Sequence, residues 1–304
     1  HSIMHTFRYD TSGTWVKGNT HIHSVASDGG KTYEEIESIY AGAGYDFIFH
    51  TDHWVASDIE QAASSSSLIR MDGIELDGKD HGGSHYHVVG LGTFTGITKE
   101  MGLVAGMEAV RAQGGLLILA HPHWMGNSLE DALRWGFDGV EVYNHICHWL
   151  NGKSDGGVYW NRMLRRFPNT LAFSADDAHI RPEYPGWNGG WIMVNTPERS
   201  REAIQSAIRT GHFYSSCGPE FHAIETDGVR VTIRVSPVQF VRLVGPAYAG
   251  DRIGSFDGKL VTEAAFEIPP EWSYAYLEVE DAQGRRAWTN PLFVADEKEP
   301  RTGA

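Results

Sequence analysis

Residues 47–53 read Phe-Ile-Phe-His-Thr-Asp-His: a short apolar run that ends in three side chains able to bind a metal ion. An apolar run of this length, bounded by polar residues, predicts a buried strand. Similar runs recur up to about residue 215, and segments with helical spacing separate them. The other runs that we interpret as strands are residues 87–89, 116–120, 140–142 and 171–173. The segments with helical spacing are residues 33–43, 100–113, 129–135 and 199–210.

Strand–helix units that repeat in this way predict an α/β fold with a largely parallel sheet, either open or closed into a barrel. The pattern changes after residue 218. Apolar residues then alternate at period two, and turn dipeptides such as Asp-Gly and Gly-Pro separate the runs, which predicts a small all-β sandwich. The period-two runs are residues 229–235, 240–244 and 275–279. The predicted domains are an α/β domain at residues 5–218, a β-sandwich domain at 219–296 and a frayed tail at 297–304.

Bulk composition restricts the class of protein. Of 304 residues, 41% are hydrophobic and 21% are charged, as in an ordinary soluble globular protein. Two cysteines, Cys147 and Cys217, provide no disulfide framework. A net charge of −14 without a run of Lys or Arg argues against nucleic acid as a general partner. No apolar run approaches the roughly 20 residues that cross a bilayer, and no secretory signal pattern opens the chain, so we expect a cytoplasmic protein with no membrane partner.

Histidine is concentrated in the part of the chain that is predicted to be α/β. Twelve of the 16 histidines lie between His21 and His179. Several of them, and several acidic residues, lie on or directly after apolar runs. These candidates are His21, His23, His50, Asp52, His53, Glu75, His121, Asp177 and His179. The carboxyl ends of the strands of a parallel barrel converge on one face, so we expect these side chains to form a metal site there.

Each of these short motifs also has an ordinary structural explanation. His21 and His23 would lie on one face of a strand, where one of them could be a buried histidine without a metal. Asp52 and His53 could form a turn and a cap, and a single Glu75 is most often a solvated charge. Five strand-end clusters would need five separate explanations of this kind. A shared metal site is therefore the better hypothesis.

The same residues resemble a known family. The first motifs are Asn19-Thr20-His21-Ile22-His23-Ser24, Ser27-Asp28-Gly29 and Thr51-Asp52-His53. The later motifs are Gly73-Ile74-Glu75, Tyr86-His87-Val88-Val89-Gly90, Ala120-His121-Pro122 and Asp177-Ala178-His179. In this order they resemble the polymerase and histidinol phosphatase (PHP) superfamily over about residues 15–215. Gly218-Pro219-Glu220 and Ala287-Trp288-Thr289-Asn290-Pro291 also resemble the subgroup that contains carbaryl hydrolases, the CehA/McbA-like metallohydrolases.

The PHP resemblance implies a distorted seven-stranded, TIM-like (β/α) barrel that holds two or three divalent ions. Zn, Mn and Fe all suit the nitrogen and oxygen ligands. The implied ligands of one ion are His21, His23, Glu75 and Asp177. A second ion would share Glu75 and add His87 and His121, and a third would bind Asp28, His53 and His179. Three alternatives stay open: His85 for His87, His123 for His121 and Asp176 for Asp177.

These ligands imply a metal-dependent hydrolase in which a metal-bridging hydroxide attacks a small, anionic phosphate ester. No Ser or Cys nucleophile is then required. His123 and His145 are candidate proton donors to the leaving group, and Arg181 is a candidate clamp for an anionic substrate. One alternative is a carbamate, ester or amide hydrolase that uses the same ions. Another is a metal-binding module without activity. The sequence leaves the oligomeric state open.

Overall fold

The computed structural model describes residues 5–58, 67–297, 299 and 301. Contacts divide the chain into two compact units. The barrel unit consists of the described parts of Val16–Trp160 and Phe173–Ile192, together with residue 301. The β unit consists of the described parts of His1–Trp15, Asn161–Ala172 and Met193–Pro300.

Each predicted strand and helix is present, and further elements lie between them. The strands are β1 (Thr6–Phe7), β2 (Thr14–Asn19), β3 (Phe47–His50), β4 (Ile69–Lys79), β5 (His85–Leu91), β6 (Leu116–Leu119), β7 (Gly139–Asn144), β8 (Leu171–Ala175), β9 (Trp191–Thr196), β10 (Phe213–Ser216), β11 (Phe221–Thr226), β12 (Arg230–Val238), β13 (Phe240–Val244), β14 (Gly250–Gly254), β15 (Val261–Glu267), β16 (Tyr276–Glu280), β17 (Arg286–Thr289) and β18 (Phe293–Val294). The helices are α1 (Tyr33–Gly42), α2 (Leu103–Ala112), α3 (Pro122–Met125), α4 (Asp131–Arg134), α5 (His145–Asn151), α6 (Gly157–Arg166) and α7 (Arg201–Thr210). Among the described residues, no helix has the length and hydropathy needed to cross a bilayer.

The strands of the barrel unit follow the order β2-β3-β4-β5-β6-β7-β8. β2, β3 and β4 pair in parallel, as do β6 and β7. β5 is antiparallel to both of its neighbours. A short turn joins β4 to β5, and a connection of this length can only join antiparallel strands, since parallel neighbours need a longer crossover. The sheet is therefore less parallel than the strand–helix alternation predicts.

The two ends of this strand order meet. Ile22, which follows β2, forms a parallel bridge with Ala178, which follows β8. The N–H of His23 donates to the Ala178 carbonyl at 2.8 Å, and the N–H of Ala178 donates to the His21 carbonyl at 3.3 Å. Such a contact closes a barrel. His21 and His23 lie beyond the end of β2. The bridge to Ala178 and hydrogen bonds between Ile22 and Thr51, rather than the expected regular strand, position them.

Helix α1 packs against this closing segment. Thr32 and Glu35 form a reciprocal capping box, with the Thr32 hydroxyl accepting from the Glu35 N–H at 3.2 Å. Ile36 and Tyr40 are spaced by one helical turn, are fully buried and share a hydrophobic cluster with Ile22. Ile22, which lies between His21 and His23, is therefore fixed in the core.

The β unit has the sandwich architecture that the period-two runs predict. β11, β12 and β15 form one antiparallel sheet. A second set of antiparallel pairs joins β14, β13, β16, β17 and β10. Ile233 and Phe266 from the first sheet share one buried core with Val241, Leu277 and Ala287 from the second. This is the face-to-face packing of a β-sandwich.

The compact units do not divide at residue 218. β10 precedes that residue but pairs with β17, where Tyr214 lies opposite Thr289. The Asn290 side-chain amide also donates to the Phe213 carbonyl at 3.0 Å. These non-local hydrogen bonds assign β10 to the β unit. A division by contacts does not test whether the predicted α/β domain folds alone, so the boundary at 218 stays a prediction.

The predicted tail is only partly described. Residues 298, 300 and 302–304 lie outside the described residues. Glu297 accepts a hydrogen bond from the Asn169 N–H at 3.1 Å, and Glu299 accepts one from Arg166 Nε at 2.7 Å. Glu297 and Glu299 thus have defined contacts within the β unit.

Candidate metal centre

Nine side chains of the barrel unit bring their ligand atoms together in three overlapping groups. Within each group, all ligand atoms lie within 4.8 Å of one another. The first group is His21, His23, Glu75 and Asp177; the second is Glu75, His87 and His121; the third is His23, Asp28, His53 and His179. These are the nine residues that the family resemblance implies, with His23 added to the third group. That they bind metal stays a prediction.

Glu75 lies at the centre of the nine. It is buried in β4, and its Oε2 lies 3.2 Å from His21 Nε2 and 3.4 Å from His87 Nδ1. Its Oε1 lies 3.2 Å from His23 Nε2 and 3.3 Å from His53 Nε2. The two carboxylate oxygens therefore face different histidines, as a carboxylate shared between two ions would.

Asp177 joins the first group from the segment after β8. Its Oδ1 lies 2.9 Å from His23 Nε2 and 3.2 Å from His21 Nε2. The backbone of Asp177 has φ 53°, and that of His121 has φ 25°. Both are left-handed conformations that non-glycine residues seldom adopt, and such strain is concentrated at functional sites.

Glu141 is a residue of this site that the sequence analysis missed. It is fully buried in β7; its Oε2 lies 2.7 Å from His21 Nδ1, and its Oε1 accepts from the His121 N–H at 3.0 Å. A carboxylate on the far nitrogen of a ligand histidine fixes the tautomer and orientation of the ring. The available signal was an acidic residue between two valines of an apolar strand.

The third group is the most exposed. The Asp28 side chain is 47% exposed, and its Oδ2 lies 3.2 Å from His179 Nε2 and 3.7 Å from His53 Nε2. Asp77, which was also missed, places its Oδ2 3.0 Å from His53 Nδ1. Asp77 therefore fixes the orientation of the His53 ring, as Glu141 fixes that of the His21 ring.

Charges at the buried first group are strongly coupled. Burial lowers the pKa of His21, but Asp177 and Glu75 more than offset this and hold that pKa well above its usual value. Burial likewise lowers the pKa of His23, and hydrogen bonds with Asp177 and Glu75 raise it to about 10. Burial raises the pKa of both carboxyl groups, yet the adjacent histidines keep each pKa well below its usual range. The group thus holds ionised carboxylates and protons on imidazole, and a divalent cation can displace those protons.

The residues of the site fit divalent ions. His21 Nε2, His23 Nδ1 and Glu75 Oε2 are buried and make no hydrogen bond within the described part of the chain. Buried polar atoms without a hydrogen bond are rare because they cost free energy. Imidazole nitrogens and carboxylate oxygens at these positions are suitable ligands for Zn, Mn or Fe.

The structure places one member of each alternative pair in a ligand group. His87, His121 and Asp177 belong to the groups, and His85, His123 and Asp176 do not. The Asp176 carboxylate instead accepts hydrogen bonds from the N–H groups of Asn188, Gly189 and Gly190 at 2.7, 2.8 and 2.9 Å. It also accepts one from the Tyr40 hydroxyl at 2.6 Å. Asp176 therefore holds the segment before β9.

His50 and Asp52 were also candidates by position but lie outside the three groups. His50 pairs with a buried glutamate. The fully buried Asp52 accepts hydrogen bonds from the Ser24 N–H at 2.7 Å and from the hydroxyls of Ser24 and Ser27 at 2.6 Å. Asp52 therefore fixes the loop that carries Asp28.

Members of all three ligand groups line a cavity of about 150 Å³. Its lining residues are Asp28, His53, Glu75, His87, His121, Trp124, Ile146, Cys147, Leu150, Asp177, His179 and Tyr184. None of these described lining residues is Lys or Arg. A substrate in this cavity would therefore meet imidazole, carboxylate and apolar side chains, with positive charge coming from bound ions.

The three predicted catalytic residues do not line this cavity. His123 is exposed, and His145 Nδ1 lies 2.7 Å from the Tyr143 hydroxyl. Arg181 Nη1 donates to the Asp28 carbonyl at 2.9 Å. Arg181 therefore supports the backbone of a residue in the third group. Their catalytic roles stay predictions that the position of the side chains does not support.

No family model matches the sequence, and no curated protein matches it. Solved structures do match. A two-domain protein from Bacteroides vulgatus, described as containing a predicted PHP-like metal-dependent phosphoesterase, aligns at a TM-score of 0.54 and 15% identity. The alignment covers 96% of this chain and 100% of that chain.

Two further structures align at lower scores. A protein from Bifidobacterium adolescentis, assigned as a metal-dependent phosphoesterase, has a TM-score of 0.40 at 14% identity, over 64% of this chain and 96% of its own. An amidohydrolase from Chromobacterium violaceum, solved with bound sulfate and no metal, has a TM-score of 0.38 at 15% identity, over the same shares. Neither score supports a conclusion about the fold. The nearly full-length alignment does: this chain has the fold of the two-domain protein with a PHP-like part, which confirms the fold class expected from the sequence.

Proposed function

We propose that this chain is a metal-dependent hydrolase that cleaves small phosphate esters. The observation that carries the proposal is the convergence of nine side chains in three groups, seven of which line one cavity. The description of the Bacteroides vulgatus protein as containing a PHP-like phosphoesterase supports the choice of ester. Two or three divalent ions held by these groups would supply a water nucleophile that ionises near pH ~7, and positive charge for an anionic substrate.

The residues of the chain have separate tasks in this proposal. Glu75 and Asp177 are buried and ionised, so they would hold divalent ions in a part of the site that excludes solvent. Asp28 is half exposed, so the third group is where a substrate can arrive from solvent. Glu141 and Asp77 would keep His21 and His53 oriented to bind these ions.

One observation favours a second candidate function. The described lining of the cavity contains no Lys or Arg, whereas enzymes that transfer or hydrolyse phosphate commonly add such side chains. The same site could therefore act on a carbamate, a carboxylic ester or an amide, whose reacting group is neutral.

Paired substrates distinguish these functions. The purified protein should contain at least two divalent ions per chain by elemental analysis, and a chelator should abolish hydrolysis. We expect kcat/KM for phenyl phosphate to exceed that for phenyl carbamate, and inorganic phosphate to inhibit competitively. A clear preference for the carbamate, with weak inhibition by phosphate, would overturn the phosphoesterase assignment. A metal-loaded protein that hydrolyses neither substrate would favour the non-catalytic alternative.

A further inference from the structure

The metal-ligand cavity has an apolar side. Besides the ligand residues, its lining consists of Trp124, Ile146, Cys147, Leu150 and Tyr184, which we name the apolar wall. A cavity that only bound a hydrated inorganic ion would gain nothing from these side chains. Binding pockets for organic molecules combine such a surface with a few polar groups that fix orientation.

Trp124 connects the apolar wall to the second ligand group. Its ring centroid lies 5.0 Å from that of His121 and 6.1 Å from that of His87. The Trp124 side chain nevertheless remains 37% exposed. A large aromatic surface is thus presented to solvent directly beside predicted metal ligands.

Helix α5 provides the next part of the wall. Ile146 and Leu150 are four residues apart, so they lie on the same side of the helix. Ile146 is buried, whereas Leu150 is 37% exposed although it lines the cavity. Covering this exposed leucine with an apolar group would remove both surfaces from water, which is favourable.

Tyr184 extends the wall to the third ligand group. Its ring centroid lies 5.6 Å from that of His179. The apolar wall therefore reaches from the second to the third group, and a molecule whose reacting atom is near the ions must place its adjacent atoms near apolar side chains.

We propose that the substrate carries one compact apolar group, such as a single aromatic ring, next to its reacting ester, and that the apolar wall binds this group. That the reacting ester is a phosphate ester rests on the proposed function. The volume of about 150 Å³ limits the size, because pockets for drug-sized ligands measure roughly 300–1,000 Å³. A single ring fits this limit better than a fused ring system does.

Two phosphonates that cannot be hydrolysed test the wall separately from catalysis. The protein is loaded with Zn²⁺, and in parallel with Mn²⁺, and the binding of phenylphosphonate and methylphosphonate is measured by calorimetry. Removing ~60 Å² of ring surface from water is worth about tenfold in affinity. We therefore expect phenylphosphonate to bind at least about tenfold more tightly than methylphosphonate.

Matched leucine variants assign this preference to the wall. Leu150→Ala should reduce the ratio of the two affinities severalfold, because the ring loses more apolar contact than the methyl group does. Leu129→Ala is the control, since Leu129 is 39% exposed and does not line the cavity. Trp124→Ala should act like Leu150→Ala. Thermal unfolding of each variant verifies that the fold is retained.

The outcomes separate the wall from the reaction. Equal affinity for the two phosphonates, or a ratio that Leu150→Ala does not change, would overturn the apolar wall. If phenylphosphonate binds as expected but phenyl phosphate is not hydrolysed, the proposed function is wrong, and the role of the apolar wall in binding is supported. If neither phosphonate binds, benzoate and acetate replace them: a benzoate preference that depends on Leu150 supports the wall, and no preference or no binding overturns it.

Discussion

Glu75 belongs to two ligand groups, whereas Asp28 belongs only to the third. We predict that Glu75→Gln loses more than one divalent ion per chain, because the amide removes the negative charge that both groups share. Asp28→Asn should lose no more than one ion, since the first two groups keep all their ligands. Elemental analysis of dialysed protein measures both stoichiometries, and Asp28→Asn serves as the control for a charge removed at the same site.

Wild-type metal content in both variants would contradict the ligand assignment. A loss of all ions in Asp28→Asn would instead mean that the three groups bind cooperatively.

Glu141 acts on the metal site through His21 and His121 rather than by direct contact with substrate. We predict that Glu141→Gln weakens metal binding about 10- to 100-fold, because it disturbs the orientation of the ligand histidines. Competition with a chelator measures the affinity. Glu108→Gln, an exposed position on α2 of the same unit, should have no effect. Unchanged metal affinity in Glu141→Gln would mean that Glu141 has a purely structural role.

At the scale of elements, the hairpin of β4 and β5 departs most from the sequence-based expectation, and Asp80 holds its turn. The buried Asp80 carboxylate accepts hydrogen bonds from the N–H groups of Gly82 and Ser84, both at 3.0 Å. It also accepts from Arg134 Nη1 at 2.9 Å and from Trp135 Nε1 at 3.0 Å. Burial alone would raise the pKa of Asp80, but the hydrogen bonds from Trp135 and Arg134 lower it to about 2.

These hydrogen bonds predict a pH-dependent contribution to stability. Because the folded pKa lies below the unfolded value of 3.8, the contribution is fully present above pH 3.8 and is lost as the pH falls toward 2. The difference in pKa is worth about 2 kcal/mol at pH 7 and roughly half of that at pH 3. Asp80→Asn should therefore lower the free energy of unfolding by about 2 kcal/mol at pH 7, measured with urea, and by less at pH 3.

The control for Asp80→Asn is Glu271→Gln, which changes an exposed carboxylate and should leave the free energy of unfolding unchanged at both pH values. An equal loss of unfolding free energy for Asp80→Asn at pH 7 and pH 3 would mean that the altered hydrogen bonds of the side chain, rather than the lost charge, cause the effect.

At the scale of the whole molecule, the position of β10 decides how the chain divides. β10 precedes residue 218 but shares a ladder with β17 and the core of the β unit. We predict that a chain cut after residue 218 loses cooperative unfolding and aggregates, because β10 then becomes an unpaired edge strand. Thermal unfolding and light scattering measure this.

A chain that ends at residue 297 keeps all strands and should unfold as the full chain does. If residues 5–218 alone unfold cooperatively and keep their divalent ions, the domain boundary expected from the sequence is correct and the β unit only braces the barrel.

The sequence by itself was sufficient for the local features of this protein. Short apolar runs predicted β3, β5, β6, β7 and β8, and period-two alternation predicted the β-sandwich. His or Asp after an apolar run predicted candidate ligands such as His53, His121 and Asp177. These predictions depend on neighbours along the chain, and strand ends converge in any barrel. The site could therefore be assembled in outline before any contact was known.

Only the tertiary structure decided the features that depend on distant partners. Asp176 and Asp177 are adjacent and chemically alike, yet the N–H groups before β9 bind the first, and the second faces His21 and His23. The role of Glu141 and the pairing of β10 with β17 are decided in the same way. Each follows from hydrogen bonds between residues far apart in sequence, and the free energy of such bonds is set by burial and geometry that the local pattern does not contain.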